Sequence, residues 1–193
     1  MNYHKHPSSS DTTDIFGFWI YILSDCVLFA ILFATFAVLR DNVYGGPRLG
    51  ELTSLPYIFS ETMLLLLSSL TYGLAMLALY KKNCTAVLRW LGVTFLLGLG
   101  FVGMEVNEFV HLCQEGHRWQ NSASLSSFFT LVGTHGLHVS LGLVWMLVLM
   151  IQLLVFRITP FMQRRLTYLG LFWTFLDLVW IFVFTLVYLM GAH

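Results

Sequence analysis

Residues 125–156 read LSSFFTLVGTHGLHVSLGLVWMLVLMIQLLVF, 32 positions without one Asp, Glu, Lys or Arg. A helix needs about 20 predominantly apolar residues to cross the hydrocarbon core of a bilayer. This run exceeds that length, which implies tilt or projection without fixing an angle. Four further stretches meet the same requirement: Ile15–Leu39, Tyr57–Leu79, Leu88–Val110 and Leu166–Met190. Turn residues punctuate the intervals, with Gly45-Gly46-Pro47 and Pro56 in the first and Lys81-Lys82-Asn83 in the second. Gly116 to Ser124 fills the third and Pro160 marks the fourth. The expectation is an all-α integral membrane protein, one bundle of five transmembrane helices over residues 15–193, preceded by a short tail at 1–14.

Composition excludes the main alternatives. Of the 193 residues, 58% are hydrophobic and 10% charged, whereas a soluble domain carries about 25% charged residues. Such a chain cannot cover a water-facing surface, and it is too apolar to be disordered. Ten Lys and Arg balance ten Asp and Glu, so no basic face is available to neutralise nucleic-acid phosphates. Cys26, Cys84 and Cys113 show no CxxC or CxH spacing, so neither a disulfide framework nor a zinc site is signalled. The first span contains Asp25 and no A-x-A site follows it, so it reads as a membrane helix rather than a cleaved signal.

Lys and Arg placement predicts orientation. Counted over alternate loops, one side holds Lys5, Lys81, Lys82, Arg89, Arg157, Arg164 and Arg165, seven in all, and the other holds Arg40, Arg48 and Arg118, three. The richer side is expected in the cytoplasm, which places the N-terminal tail there and the C-terminus in the periplasm.

The spans contain five acids, Asp25, Glu61, Glu105, Glu108 and Asp177, and no lysine; the one arginine, Arg89, lies at the cytoplasmic edge. A charge at a helix centre costs about 2.5–3.5 kcal/mol on insertion scales. Each acid must therefore be protonated, hydrogen-bonded to His, Ser, Thr or Trp, or turned to protein or water. His135 and His138 are three apart and share a helix face. They lie roughly 15–20 Å from the outer end of their span, a depth close to that of Asp25 and Asp177. The expectation is a polar layer near the midplane that links at least one of these aspartates to the histidine pair. Glu61 reads as an interfacial acid near a helix N-terminus, where the dipole favours it, and Glu108 as an acid that reaches water.

Metal chemistry finds no pattern. A di-iron bundle needs Glu-x-x-His on two helices and a Glu from each of two others; here only Glu108 and His111 have that spacing. Haem held by two histidines needs them on facing helices, and His135 and His138 lie on one. Gly92, Gly98, Gly100 and Gly103 on the third helix, with Gly133, Gly136 and Gly142 on the fourth, read mostly as tight internal packing. Gly100 and Gly103 could equally serve docking to another subunit. Trp173, Phe175, Trp180, Phe182 and Phe184 read as packing and interface anchors.

Four segments carry a resemblance: GFWIYILSD at 17–25, GMEVNEF at 103–109, FTLVGTHGLHV at 129–139 and FWTFLDLVW at 172–180. In that order, one per span, they make the chain resemble subunit III of the haem–copper terminal oxidases, within it the bo-type quinol oxidase branch. Asp25 in the first motif, where the cytochrome c branch carries Glu, and the five-span form both favour that branch. Thr174 departs from the family pattern, which has His there. The resemblance implies a non-catalytic subunit of a proton-pumping ubiquinol oxidase that couples ubiquinol oxidation to oxygen reduction in the bacterial cytoplasmic membrane. It implies no haem, copper or ubiquinone in this chain, those groups residing in partner subunits. The implied partners are oxidase subunits I, II and IV and phospholipid, and the implied role is to stabilise subunit I and support proton uptake. Position by position, it makes Asp25, Glu105, Glu108, His135, His138 and Asp177 a structural, lipid-contacting or subunit-contacting set. Subunit III of a cytochrome c oxidase is the alternative, and an independent transporter or proton channel built on the same acids is a further one.

Overall fold

The computed structural model describes residues 9–39, 55–114 and 123–189. The expected loop residues Gly45 to Pro47 and Gly116, and the basic positions Lys5, Arg40, Arg48 and Arg118, lie outside them, as does Met190. Five helices are present among the described residues: α1 (Ser9–Leu39), α2 (Leu55–Tyr80), α3 (Cys84–Gln114), α4 (Ala123–Phe156) and α5 (Pro160–Val183). A six-residue π-helical segment, Phe184–Leu189, continues α5. All five helices are long and apolar enough to cross a membrane.

At α3 and α5 the helix starts fall outside the hydropathy limits because caps, not apolar runs, set them. At α3 the Asn83 side-chain carbonyl accepts from the Ala86 amide at 3.2 Å, so the helix begins at Cys84 rather than Leu88. At α5 the Thr159 hydroxyl accepts from the Met162 amide at 3.2 Å and Pro160 occupies the first turn, which starts the helix before Leu166. The α1 helix begins at Ser9, so residues 9–14 are helical rather than part of a tail. Two helices stop without glycine. Lys82, two residues past α2, and Arg157, directly after α4, take φ of 54° and 55°, and their amides reach back to the Leu79 and Leu153 carbonyls at 2.9 and 3.1 Å.

The helices α2, α3, α4 and α5 form a closed ring, with the α2–α3 pair the most extensive contact, and α1 lies outside it against α4 and more lightly α5. That position explains why most of α1 is exposed. The ring closes around Trp173, Trp180, Phe101 and Phe128, all fully buried. Both indole N–H groups are satisfied by α2: Trp173 donates to Ser68 at 3.0 Å and Trp180 to Thr62 at 3.1 Å. Gly98 and Gly142 admit the Trp173 ring, since a Cβ at either would lie 3.0 or 3.2 Å from it.

Tight packing does not hold for most of the glycines. Gly92 and Gly103 have nothing within 4 Å of a Cβ position, and Gly100 and Gly133 meet only ordinary contacts at 3.9 and 3.8 Å. Only Gly98, Gly136 and Gly142 of the seven are required by a close neighbour.

Two contacts orient the ring. The Cys84 thiol lies 3.9 Å from the Leu153 carbonyl, and the Tyr72 hydroxyl donates to the Leu166 carbonyl at 2.6 Å. The α2–α3 and α4–α5 turns therefore share one end of the bundle, which gathers Lys81, Lys82, Arg89, Arg157, Arg164 and Arg165. The outer face of α4 is unbroken aliphatic surface, with Leu137, Leu141, Val144, Leu147, Val148 and Ile151 all exposed. Such a face has acyl chains as its natural solvent.

Candidate functional site

The acids lie at three places. Asp25 of α1 is buried, and its Oδ1 lies 3.7 Å from Nε2 of His138 on α4. The other ring nitrogen, Nδ1, is 2.8 Å from the Thr134 carbonyl. A carbonyl only accepts, so Nδ1 carries a proton and Nε2 is the nitrogen turned to the aspartate. This contact ties the outlying helix to the ring.

Asp177 of α5 is buried too, but its partner is a hydroxyl: Ser69 of α2 donates to Oδ2. His135 joins neither aspartate. It is fully buried with neither ring nitrogen hydrogen-bonded to protein. Its imidazole stacks on Trp180 at 5.2 Å between centroids and meets the Phe101 and Phe29 rings edge-on. One aspartate is thus linked to one histidine, while Asp177 and His135 have separate surroundings. One face of a helix can still address two neighbours when three other helices surround it.

Glu61, Glu105 and Glu108 form the third group, at the end of the bundle opposite the basic turns. Glu61 has 0% exposure: α2 begins at Leu55 and carries it inside the bundle about two turns on. Glu108, 8% exposed, is likewise turned inward rather than toward water. Tyr57 of α2, one turn before Glu61, donates to the Met104 carbonyl at 2.9 Å and receives Asn107 at 3.4 Å, which sets Glu61 beside the α3 stretch that carries the other two. The Glu105 carboxyl also rests on Gly136 of α4, both its oxygens 2.5 Å from where a Cβ would stand. Among the described residues, no three His, Cys, Asp or Glu side chains converge so as to hold a metal ion.

The sequence pattern described as cytochrome c oxidase subunit III matches residues 3–192. The chain belongs to that family. Among its relatives, cytochrome bo(3) ubiquinol oxidase subunit 3 of Pseudomonas aeruginosa is 57% identical over 98% of this chain and 90% of its own length. The Pseudomonas putida protein of the same name is 52% identical over 97% of this chain and 89% of its own length. Cytochrome c oxidase subunit 3 of Bacillus sp. (strain PS3) is 45% identical, covering 91% of this chain and 84% of the relative.

In this subunit III fold the four motifs converge from four helices, but they do not form one site. The first and third meet through Asp25 and His138. The second touches the third through Glu105 and Gly136. The fourth reaches the third through Trp180 and His135. Thr174, where the resemblance leads one to expect His, faces outward and donates to the Gly170 carbonyl at 2.9 Å. Sequence reasoning named hydroxyls only as a class of partner and did not single out Thr62, Ser68 or Ser69. Their signal is the spacing of hydroxyls through a leucine-rich helix, which sets them along the side of α2 that meets α5.

Proposed function

We propose that the chain is the non-catalytic subunit III of a bo-type ubiquinol oxidase in a bacterial cytoplasmic membrane. The observation that carries this reading is the near-full-length identity to two proteins named as subunit 3 of ubiquinol oxidases, above that to the cytochrome c oxidase relative. Haem, copper and ubiquinone belong to partner subunits in this reading, with subunits I, II and IV as neighbours and phospholipid against the aliphatic outer faces. The complex oxidises ubiquinol, reduces oxygen and pumps protons, and this subunit stabilises subunit I and supports proton uptake. The end that gathers six basic residues faces the cytoplasm, in keeping with the excess of Lys and Arg on that side of membrane proteins. Asp25 with His138, Asp177 with Ser69, the three glutamates and the packed His135 act as buried structural groups, not as catalysts.

The 45% identical relative supports a second reading, subunit III of a cytochrome c oxidase. Oxygen uptake by membranes from a strain lacking this chain, with and without its restoration, separates the two. Restoration is expected to recover ubiquinol-driven uptake; recovery with reduced cytochrome c alone would transfer the assignment to the second reading. An independent transporter has no observation in its favour.

A further inference from the structure

Glu61 is the only carboxylate among the described residues with both oxygens buried and neither hydrogen-bonded. Tyr57, one turn before it on α2, donates to the Met104 carbonyl and receives Asn107, which sets Glu61 beside the α3 stretch that carries Glu105 and Glu108. Glu105 has one oxygen without a partner as well. Its carboxyl is seated where Gly136 of α4 leaves no Cβ, so α4 makes room for the group instead of neutralising it. We infer that Glu61, Glu105 and Glu108 are a proton-holding site, three carboxyls from two helices that share at least one proton within the bundle.

The argument is one of donors. An ionised carboxylate only accepts hydrogen bonds, so a buried one needs N–H or O–H groups turned toward it. The side-chain donors around Glu61 are turned elsewhere, and the buried His135 ring, next to Gly136 on α4, is packed among Phe29, Phe101 and Trp180 with neither nitrogen hydrogen-bonded to a carboxyl. The Tyr57 hydroxyl donates to the Met104 carbonyl at 2.9 Å, and the Asn107 amide is directed at that same hydroxyl. The Thr62 hydroxyl, beside Glu61, donates to the Ile58 carbonyl at 2.9 Å and accepts from Trp180. On α3 the nearest group able to carry positive charge is His111, one turn beyond Glu108. A single imidazolium offsets one charge of three. Gly136 of α4, against the Glu105 carboxyl, brings no side-chain donor. A carboxylic acid, in contrast, supplies its own O–H donor to a neighbouring carboxylate, and like charges crowded in one buried site do not all ionise. The proton is the ligand that satisfies the geometry. This inference does not rest on which electron donor the complex uses.

Infrared absorption of the intact oxidase complex tests it, comparing wild type with Glu61→Gln. Carboxylic acids and carboxylates have separate stretching bands, so the difference spectrum reports which form the substitution removed. The expected result is the loss of one carboxylic-acid band, from Glu61 itself or from the partner it shares a proton with. Glu61→Asp is expected to shift that band instead of removing it, and it carries the test if the glutamine variant does not assemble. Loss of carboxylate bands alone, in either variant, would overturn the inference. So would a wild-type carboxylate band that moves when sodium, potassium or calcium is added, because the occupant would then be a metal cation.

Discussion

His135 and His138, three residues apart, show how far identical side chains diverge once packing is known. His138 holds Asp25 across a helix boundary, so His138→Phe leaves a buried acid without its partner. The expected loss is about 1–3 kcal/mol, discounted from the cost of breaking a fully buried pair because both side chains retain some exposure. His135 makes no hydrogen bond to protein and sits among aromatic rings, so His135→Phe is close to a shape-conserving exchange and is expected to cost under about 1.5 kcal/mol. Thermal melting of the two variants in mild detergent checks this; equal losses would contradict the assignment. Gly136→Ala makes a second case. A methyl group there meets the Glu105 carboxyl, and the crowding is expected to cost about 1–3 kcal/mol. Adding Glu105→Ala removes the obstacle and is expected to restore part of the loss, which a double-mutant cycle measures. The sequence identified which residues are polar and how they are spaced. It could not pair Asp177 with Ser69, because that choice depends on which helices become neighbours.

At the scale of the element, five spans were legible from length and hydropathy alone, since a membrane helix must be both long and apolar. Their ends were less so. The α3 and α5 helices extend beyond their apolar runs because Asn and Thr caps, with a first-turn Pro in α5, are polar signals that a hydropathy reading passes over. Lys82 and Arg157 show a conflict of a different kind. Each takes the left-handed conformation that favours glycine, while its positive charge complements the helix C-terminus and the basic end of the bundle. Left-handed strain of about 1–2 kcal/mol, less glycine's entropy cost of about 0.5–1 kcal/mol, leaves Lys82→Gly and Arg157→Gly a gain of up to about 1.5 kcal/mol each. A raised melting temperature in detergent checks this; a lowered one would show that the charge outweighs the strain.

For the whole molecule, the ring of α2 to α5 with α1 laid outside it creates a polarised bundle. Six basic residues gather at one end and three glutamates lie inside the other. That polarity was visible as a count of alternate loops, but only the contacts between Cys84 and Leu153 and between Tyr72 and Leu166 bring both basic turns to one end. The orientation has a direct consequence. A cysteine introduced at Lys82 is expected to react with a membrane-impermeant thiol reagent in inverted vesicles and not in intact spheroplasts; labelling in spheroplasts would reverse the topology. The central claim, that this bundle is a subunit of a haem-bearing ubiquinol oxidase, is tested most directly by purifying the tagged chain from its native membrane in mild detergent. The account predicts a coloured preparation with a haem absorption spectrum, partner polypeptides in constant ratio and ubiquinol-dependent oxygen uptake. A colourless single polypeptide, stable without partners, would contradict it.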